Sequence, residues 1–447
     1  MCWSPLSPPE IGCLANSLPA NRPNVIVLLF ALAVLLVTGQ SELQAAEAQR
    51  PNLVFILADD MGWGDPACYG GRIATPHIDR IAREGMRFID AHTTSAVCTP
   101  TRYSILTGRY NWRSTLKKGV LSGTSPPLIE PDRLTIAGFL KDRGYATCVI
   151  GKWHLGLDWQ KLDAPRSATT GETKGPGWDI DYASFVNNGP LARGFTHDFL
   201  YPASLDMPPY VYLQNDQPIG IPSVTKAFRV PNRPGPALAD FEASACLTDF
   251  AREARRFIGD HAQKSFFLYL PLTSPHTPIV PSAEWQGKSG LSDYADFVME
   301  TDWVVGQVLE ELDQRGLADN TLLVFTSDNG CSPQADIPGL VDKGHDPCGP
   351  WRGHKADVYE GGHRVPYVVR WPGVVSKGTV CQETVSTVDW FATAADALGQ
   401  HDQIPPSAAV DSYSLLPLLK QTPSSEAIRP YTIHHSINGS FAIRQGN

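Results

Sequence analysis

The stretch Asn52-Leu53-Val54-Phe55-Ile56-Leu57-Ala58-Asp59-Asp60 decides the fold. Its apolar run has no polar alternation, so both faces of the strand must be buried, as in a parallel sheet covered by helices. The same alternation of short apolar runs with amphipathic segments recurs outward from it. Thr75-Pro76 reads as N-cap and first turn of a helix that runs through Ile78, Ile81 and Ala82 and stops at Gly85. A helix over Ile136 to Lys141 ends at Gly144, and Tyr145 to Ile150 returns as a strand. Phe266 to Leu272 is another strand. Tyr294, Phe297, Val298, Thr301, Val304, Val305, Val308 and Leu312 keep helical spacing until Gly316, followed by a strand from Thr321 to Ser327 and one more from Arg364 to Arg370. The expected class is α/β. From about Gly156 to Asp240 the periodicity fades into a Pro-, Gly- and aromatic-rich region that reads as loops over a pocket.

Polar residues stand just past the strand ends: Asp59-Asp60, Lys152 and His154, His276, and Asp328-Asn329. In open parallel sheets ligands bind beyond the carboxyl ends of the strands, so four ends deliver charged or metal-binding groups to one edge. Adjacent carboxylates at a buried strand end repel unless a cation neutralises them. An oxygen-only set from Asp59, Asp60, Asp328 and Asn329 suits calcium, with magnesium the alternative, whereas zinc recruits His or Cys. Each pair taken alone reads more readily as a turn or helix cap.

The 447 residues carry a net charge of -9, with 42% hydrophobic and 19% charged residues. That composition is globular, and with no basic run to offset the charge it argues against a nucleic-acid partner. An anionic substrate then needs a local nest of cations. Arg22, the apolar run Val25 to Val37 and the Ala46-x-Ala48 pattern describe a signal peptide over residues 1–48, with the mature chain starting near Gln49; a retained anchor is the alternative, but the run is short for a stable membrane span. Of nine cysteines, seven follow the signal, an odd number that leaves a free or modified thiol in an exported protein. Cys331 and Cys348, close together in a Gly/Pro-rich loop, form the best disulfide candidate.

Cys98-Thr99-Pro100-Thr101-Arg102, followed by Leu106-Thr107-Gly108, joins these elements. Together with the Asp-Asp strand end, Gly151-Lys152-Trp153-His154, Pro275-His276 and Asp328-Asn329-Gly330 in the same order, the chain resembles the sulfatases from about Asn52 to at least Trp371. The resemblance implies an alkaline-phosphatase-like three-layer sandwich with a large mixed, mostly parallel sheet over residues 49–400. It also implies a small C-terminal α+β subdomain of which residues 401–447 are the start, since the family pattern continues past Asn447.

The implied activity is hydrolysis of sulfate monoesters, through a formylglycine that a maturation enzyme makes from Cys98. An aldehyde hydrate offers two hydroxyls on one carbon: one attacks sulfur, and the other loses a proton so that the aldehyde re-forms and sulfate leaves. A plain Ser or Cys cannot eliminate sulfate this way. The resemblance makes Asp59, Asp60, Asp328, Asn329 and the modified Cys98 the calcium ligands. Lys152, His276 and Lys355 hold the sulfate, His154 is the base for the second hydroxyl, and Arg102 buttresses the hydrate. Ser204 aligns loosely with a serine that touches sulfate. His345 and His354 read as ordinary loop residues.

For an exported enzyme, periplasmic, extracellular or lysosomal, a sulfated glycan is the expected substrate. Two other readings share these residues: a phosphodiesterase or phosphonate hydrolase on the same scaffold, and a non-catalytic binder of sulfated glycan with Cys98 unmodified. The sequence leaves the oligomeric state open.

Overall fold

In the computed structural model, residues 50–228, 233–422 and 426–446 are described, together with Met1 and Ser4. The signal-peptide reading, with its run from Val25 to Val37, lies outside the described residues. Among the described residues no helix is long and apolar enough to cross a membrane.

The decisive stretch forms β1 (Asn52–Asp59), buried along its whole length. It lies in a ten-stranded sheet with β2 (Met86–Phe88), β3 (Ala146–Lys152), β4 (His197–Tyr201), β5 (Leu213–Gln214), β6 (Gln217–Pro218), β7 (Phe266–Pro275), β8 (Thr321–Ser327), β9 (Tyr367–Arg370) and β10 (Thr379–Cys381), in the order β10-β2-β9-β8-β1-β7-β3-β4-β5-β6. The five strands from β8 to β4 run parallel, with Leu53 opposite Phe267 on one side and Leu322 on the other. Both flanks turn antiparallel, at the β8–β9 and β4–β5 pairs. This is the large mixed, mostly parallel sheet expected from the sequence.

Alternate residues of β1 feed two cores. Val54, Ile56 and Ala58 pack beneath α1 (Pro76–Glu84), α4 (Cys246–Asp260) and α5 (Asp293–Gln314); Leu53, Phe55 and Leu57 pack beneath α2 (Cys98–Thr107), α3 (Ile136–Lys141) and α6 (Trp390–Ala397). Helices on both faces of a buried sheet give the three layers. Tyr69 fastens one flank: its hydroxyl lies 2.8 Å from Phe88 O and 2.9 Å from Tyr367 O, and it accepts the Tyr367 N–H at 2.8 Å.

Several expectations need correction. Thr75 precedes α1 but does not cap it, because its hydroxyl accepts from Ala67 N and points to Asp79. The free N–H groups of His77 and Ile78 go instead to Asp302 of α5. The region 156–240 is not all loop: β4 pairs with β3, and β5 and β6 extend that edge. The strand expected from Arg364 starts at Tyr367, since Glu360–His363 is a helical turn. All seven described cysteines are free thiols, Cys331 and Cys348 included. Gly62 stands against Cys331, where a Cβ would meet Pro347 O at 2.0 Å and Cys331 Cβ at 2.9 Å, and the Cys331 thiol turns to Ser332 O.

After α6 the chain ends in a separate hairpin, β11 (Thr432–His435) with β12 (Phe441–Arg444). Phe441 and Ile443 on β12 are 56% and 69% exposed. The hairpin docks on the segments before α2 and after Lys355, with Ala96 N donating to His435 O and Ile437 N to Ala356 O.

Candidate active site

The strand ends do converge. Cys98 is the first residue of α2, whose N-cap Val97 is extended and offers no side-chain cap, so the first N–H groups of a wholly buried helix favour negative charge beside residue 98. Arg102 lies one turn on, on the same helix face. Its guanidinium, fully buried, donates to Asp328 Oδ2 from Nε (2.9 Å) and Nη2 (2.7 Å) and to Lys152 O at 2.8 Å. Lys152 closes β3, where Gly151 (φ 122°) is required: a Cβ there would stand 2.0 Å from Pro271 O of β7. Lys152 Nζ lies 2.5 Å from Asp59 Oδ2 and 3.2 Å from Ser204 Oγ. Lys355 Nζ lies 2.6 Å and 2.7 Å from the two oxygens of Asp60.

Asp60 (φ 68°) and His154 (φ 53°) both sit in the left-handed region, strain of the kind that collects at functional sites. His154 is fully buried, its Nε2 2.7 Å from Leu121 O and its Nδ1 3.3 Å from Cys98 Sγ. Burial, aided by the charge of Lys152, holds its pKa well below the ordinary histidine value, so the ring is neutral. The proton then sits on Nε2, donated to Leu121 O, and Nδ1 presents a lone pair to residue 98. His276 Nδ1 contacts Thr277 O at 2.5 Å and Ser204 Oγ at 3.1 Å, with Nε2 3.7 Å from Asp60. Its pKa too is lowered by burial, although Asp60 opposes the shift.

Burial pushes the Asp59 carboxyl up, but Lys152, His276 and Arg102 outweigh it and hold the group below the ordinary carboxylate range. Asp328 carries the cost: burial and the charge of Asp59 push it up to about 7 against Arg102. Burial also raises the Cys98 thiol, Lys152 and Lys355 notwithstanding. A cysteine meant to attack as thiolate is normally tuned the other way. Burial works against the Lys355 ammonium, yet Asp60 and Cys98 keep its pKa above the ordinary lysine value.

The donor set fits a hard cation. Asp59 Oδ1 and Asn329 Oδ1 are buried with no hydrogen-bond partner, although Asn329 Nδ2 donates to Asp60 at 2.7 Å. Such orphaned oxygens are costly unless something positive faces them. Three carboxylates (Asp59, Asp60, Asp328) stand against three cations (Arg102, Lys152, Lys355), a balance that a dication tips towards binding an anion.

A cavity of about 480 Å³ opens onto this cluster, with Cys98, His154, His276 and Lys355 in its lining. All eleven candidate residues from the sequence thus meet in one place, Ser204 included. His345 is remote and buried against Asp65 at 2.9 Å, whereas His354, read as an ordinary loop residue, lines the cavity. Sequence reasoning missed the Leu121 carbonyl that sets the His154 tautomer, a backbone group with no side-chain signal. It also missed Asp206 and Ile437 on the cavity wall.

A family model described as Sulfatase matches residues 51–400. The chain is 34% identical over 443 residues to the N-acetylgalactosamine-6-O-sulfatase of Bacteroides thetaiotaomicron, covering 89% of this chain and 82% of that protein. It is 35% identical over 407 residues to the steryl-sulfatase of Rattus norvegicus, covering 83% and 70%. A solved sulfatase structure from the glycosaminoglycan metabolism of B. thetaiotaomicron superposes with a TM-score of 0.77 at 33% identity, covering 89% of this chain and 87% of that one.

Proposed function

The chain belongs to the sulfatase family and is a sulfuric ester hydrolase, and on that premise we propose that it cleaves sulfate from a sulfated sugar with formylglycine, made from Cys98 by a maturation enzyme, as its nucleophile and calcium as its metal. The observation that carries this reading is the approach of His154 Nδ1 to residue 98 at 3.3 Å, with the ring proton committed to Leu121 O.

Asp59, Asp60, Asp328, Asn329 and the modified residue 98 would hold the ion, calcium in preference to magnesium, and the orphaned oxygens of Asp59 and Asn329 support that assignment. Hydrated formylglycine supplies a geminal diol, one hydroxyl to attack sulfur and one whose loss of a proton releases sulfate. Around it, this chain's residues orient and neutralise. Lys152 and Lys355, as fixed positive groups in a water-poor site, would offset the charge that grows on the sulfate oxygens during in-line transfer, with His276 beside them as a hydrogen-bonding group. Ser204 ties Lys152 to His276 and so fixes the distance between two of these donors. His154 Nδ1, the ring nitrogen that faces residue 98, takes the proton from the hydroxyl there. Arg102 holds Asp328 and the end of β3 in place and lies too deep to touch substrate. His276 and Lys355, on the cavity side, are placed to protonate the leaving alcohol.

We assign the catalytic machinery to residues 49–400, with 401–447 as the start of the C-terminal subdomain, and export to the apolar run and Ala46-x-Ala48 cleavage pattern. The sugar is favoured over an aryl ester because the relative named above acts on N-acetylgalactosamine 6-O-sulfate. The test is mass spectrometry of the peptide containing residue 98 in active enzyme, alongside turnover of 4-nitrophenyl sulfate. Loss of sulfur at position 98, and abolished turnover in a folded Cys98→Ala variant, are expected. Active enzyme that still carries the thiol refutes the reading.

A further inference from the structure

On the cavity wall stands a carboxylate that the sulfate chemistry does not use. Asp206 lines the same cavity as Cys98 and Lys355, and its Oδ1 is buried without a hydrogen-bond partner. The site's buried acids are each engaged: Asp59 by Lys152, Asp60 by Lys355, Asp328 by Arg102. Asp206 makes no ion pair among the described residues and is not one of the oxygens gathered at the strand ends. A buried acceptor without a partner is costly, so the Asp206 carboxylate has capacity to take a donor.

Its position is fixed. Asp206 lies in the tight turn that begins at Ser204, closed by Met207 N donating to Ser204 O at 2.7 Å, and Tyr201 donates to Met207 O at 2.8 Å. Ser204 at the start of that turn grips Lys152 and His276. The half-buried carboxylate is therefore fixed on the lining of the cavity that Cys98 and Lys355 share, with Met207, Ile437 and Arg233 also lining it.

We propose that Asp206 is a specificity residue that accepts a hydrogen bond from a free hydroxyl of the sugar ring bearing the sulfate ester. A carboxylate suits a hydroxyl donor and repels a second sulfate at that ring position, so the site selects a ring with a free hydroxyl there. This inference rests on the sulfated-sugar reading above and gives it a residue.

The experiment compares kcat/KM for N-acetylgalactosamine 6-O-sulfate and for 4-nitrophenyl sulfate, which has no hydroxyl to offer, in fully matured wild type, Asp206→Ala and Asp206→Asn. A charged hydrogen bond of this kind predicts that the sugar-to-aryl ratio falls about tenfold to a hundredfold in Asp206→Ala, mostly through KM. Asp206→Asn keeps the shape and one acceptor without the charge; a fall of about fivefold is expected there, and this variant carries the test if the alanine variant fails to fold. Ratios within about twofold of wild type overturn the proposal. So does a wild type that hydrolyses the aryl ester but not the sugar sulfate. Loss of aryl turnover in Cys98→Ala bears on the nucleophile alone, so failure of one assignment is distinguishable from failure of the other.

Discussion

Replacing Arg102 by methionine removes a side chain that joins α2, the end of β3 and the end of β8. The guanidinium is inaccessible to solvent and makes two charged bonds to Asp328 Oδ2 and one to Lys152 O. Breaking a buried ion pair from one side leaves an uncompensated charge, about 3–5 kcal/mol. At roughly 2 °C per kcal/mol for a domain this large, the unfolding midpoint should drop by about 6–10 °C in the presence of a chelator. The same loss takes a positive charge from 3.8 Å beside Asp59, so a dication has more to gain in the variant. Calcium should accordingly raise the midpoint of Arg102→Met by more than it raises that of wild type. Differential scanning calorimetry with chelator and with excess calcium reads both quantities. A drop below about 2 °C, or a smaller calcium response in the variant, would falsify the account of Arg102 as the counter-charge to these carboxylates.

Three further outcomes can be checked separately. Chelating calcium from the purified enzyme should abolish turnover and calcium should restore it better than magnesium; full activity in chelator removes the metal assignment. Asp302, pushed up to about 7 mainly by burial and against the N–H groups of His77 and Ile78, binds its proton more tightly when folded, so its contribution is intact below about pH 4 and is lost as pH rises to about 7. Denaturant unfolding at pH 5 and pH 8 should show that fall, on the order of 4 kcal/mol at most, in wild type and a flatter profile in Asp302→Asn; equal slopes count against it. Tyr69→Phe should cost about 1–3 kcal/mol by leaving the buried Tyr367 N–H unpaired, measured by the same method, and a neutral result would show that water or a shifted strand replaces the hydroxyl.

The central strands were legible because burial on both faces leaves no room for polar residues, so β1 and β8 announce themselves in composition alone. Their position in the sheet was not, since β9 carries the same kind of run as the parallel strands yet pairs antiparallel with β8 after a connection of about forty mostly irregular residues. β4 was hidden by its short length and by the irregular chain on either side. Thr75 looked like a cap because local sequence cannot show that Asp302, more than two hundred residues away, supplies the acceptor. At the site, the paired acids and the histidines were visible as residue types, and their roles came through resemblance. The contacts that tune them came only from tertiary structure: Leu121 O on His154, Ser204 between Lys152 and His276.

The central strand is also the first to be made. Asn52 pairs with Thr321, so about 270 residues must follow it before its second neighbour exists, some 15–50 s at ordinary rates of synthesis. Until about 215 residues have followed and Phe267 comes beside Leu53, the first strand has no permanent partner, and the helix that carries residue 98 has no finished sheet to lie against. The Cys98 thiol, buried in the finished fold, is thus most open to chemistry in a window set by the ribosome and by the arrival of a strand encoded far downstream.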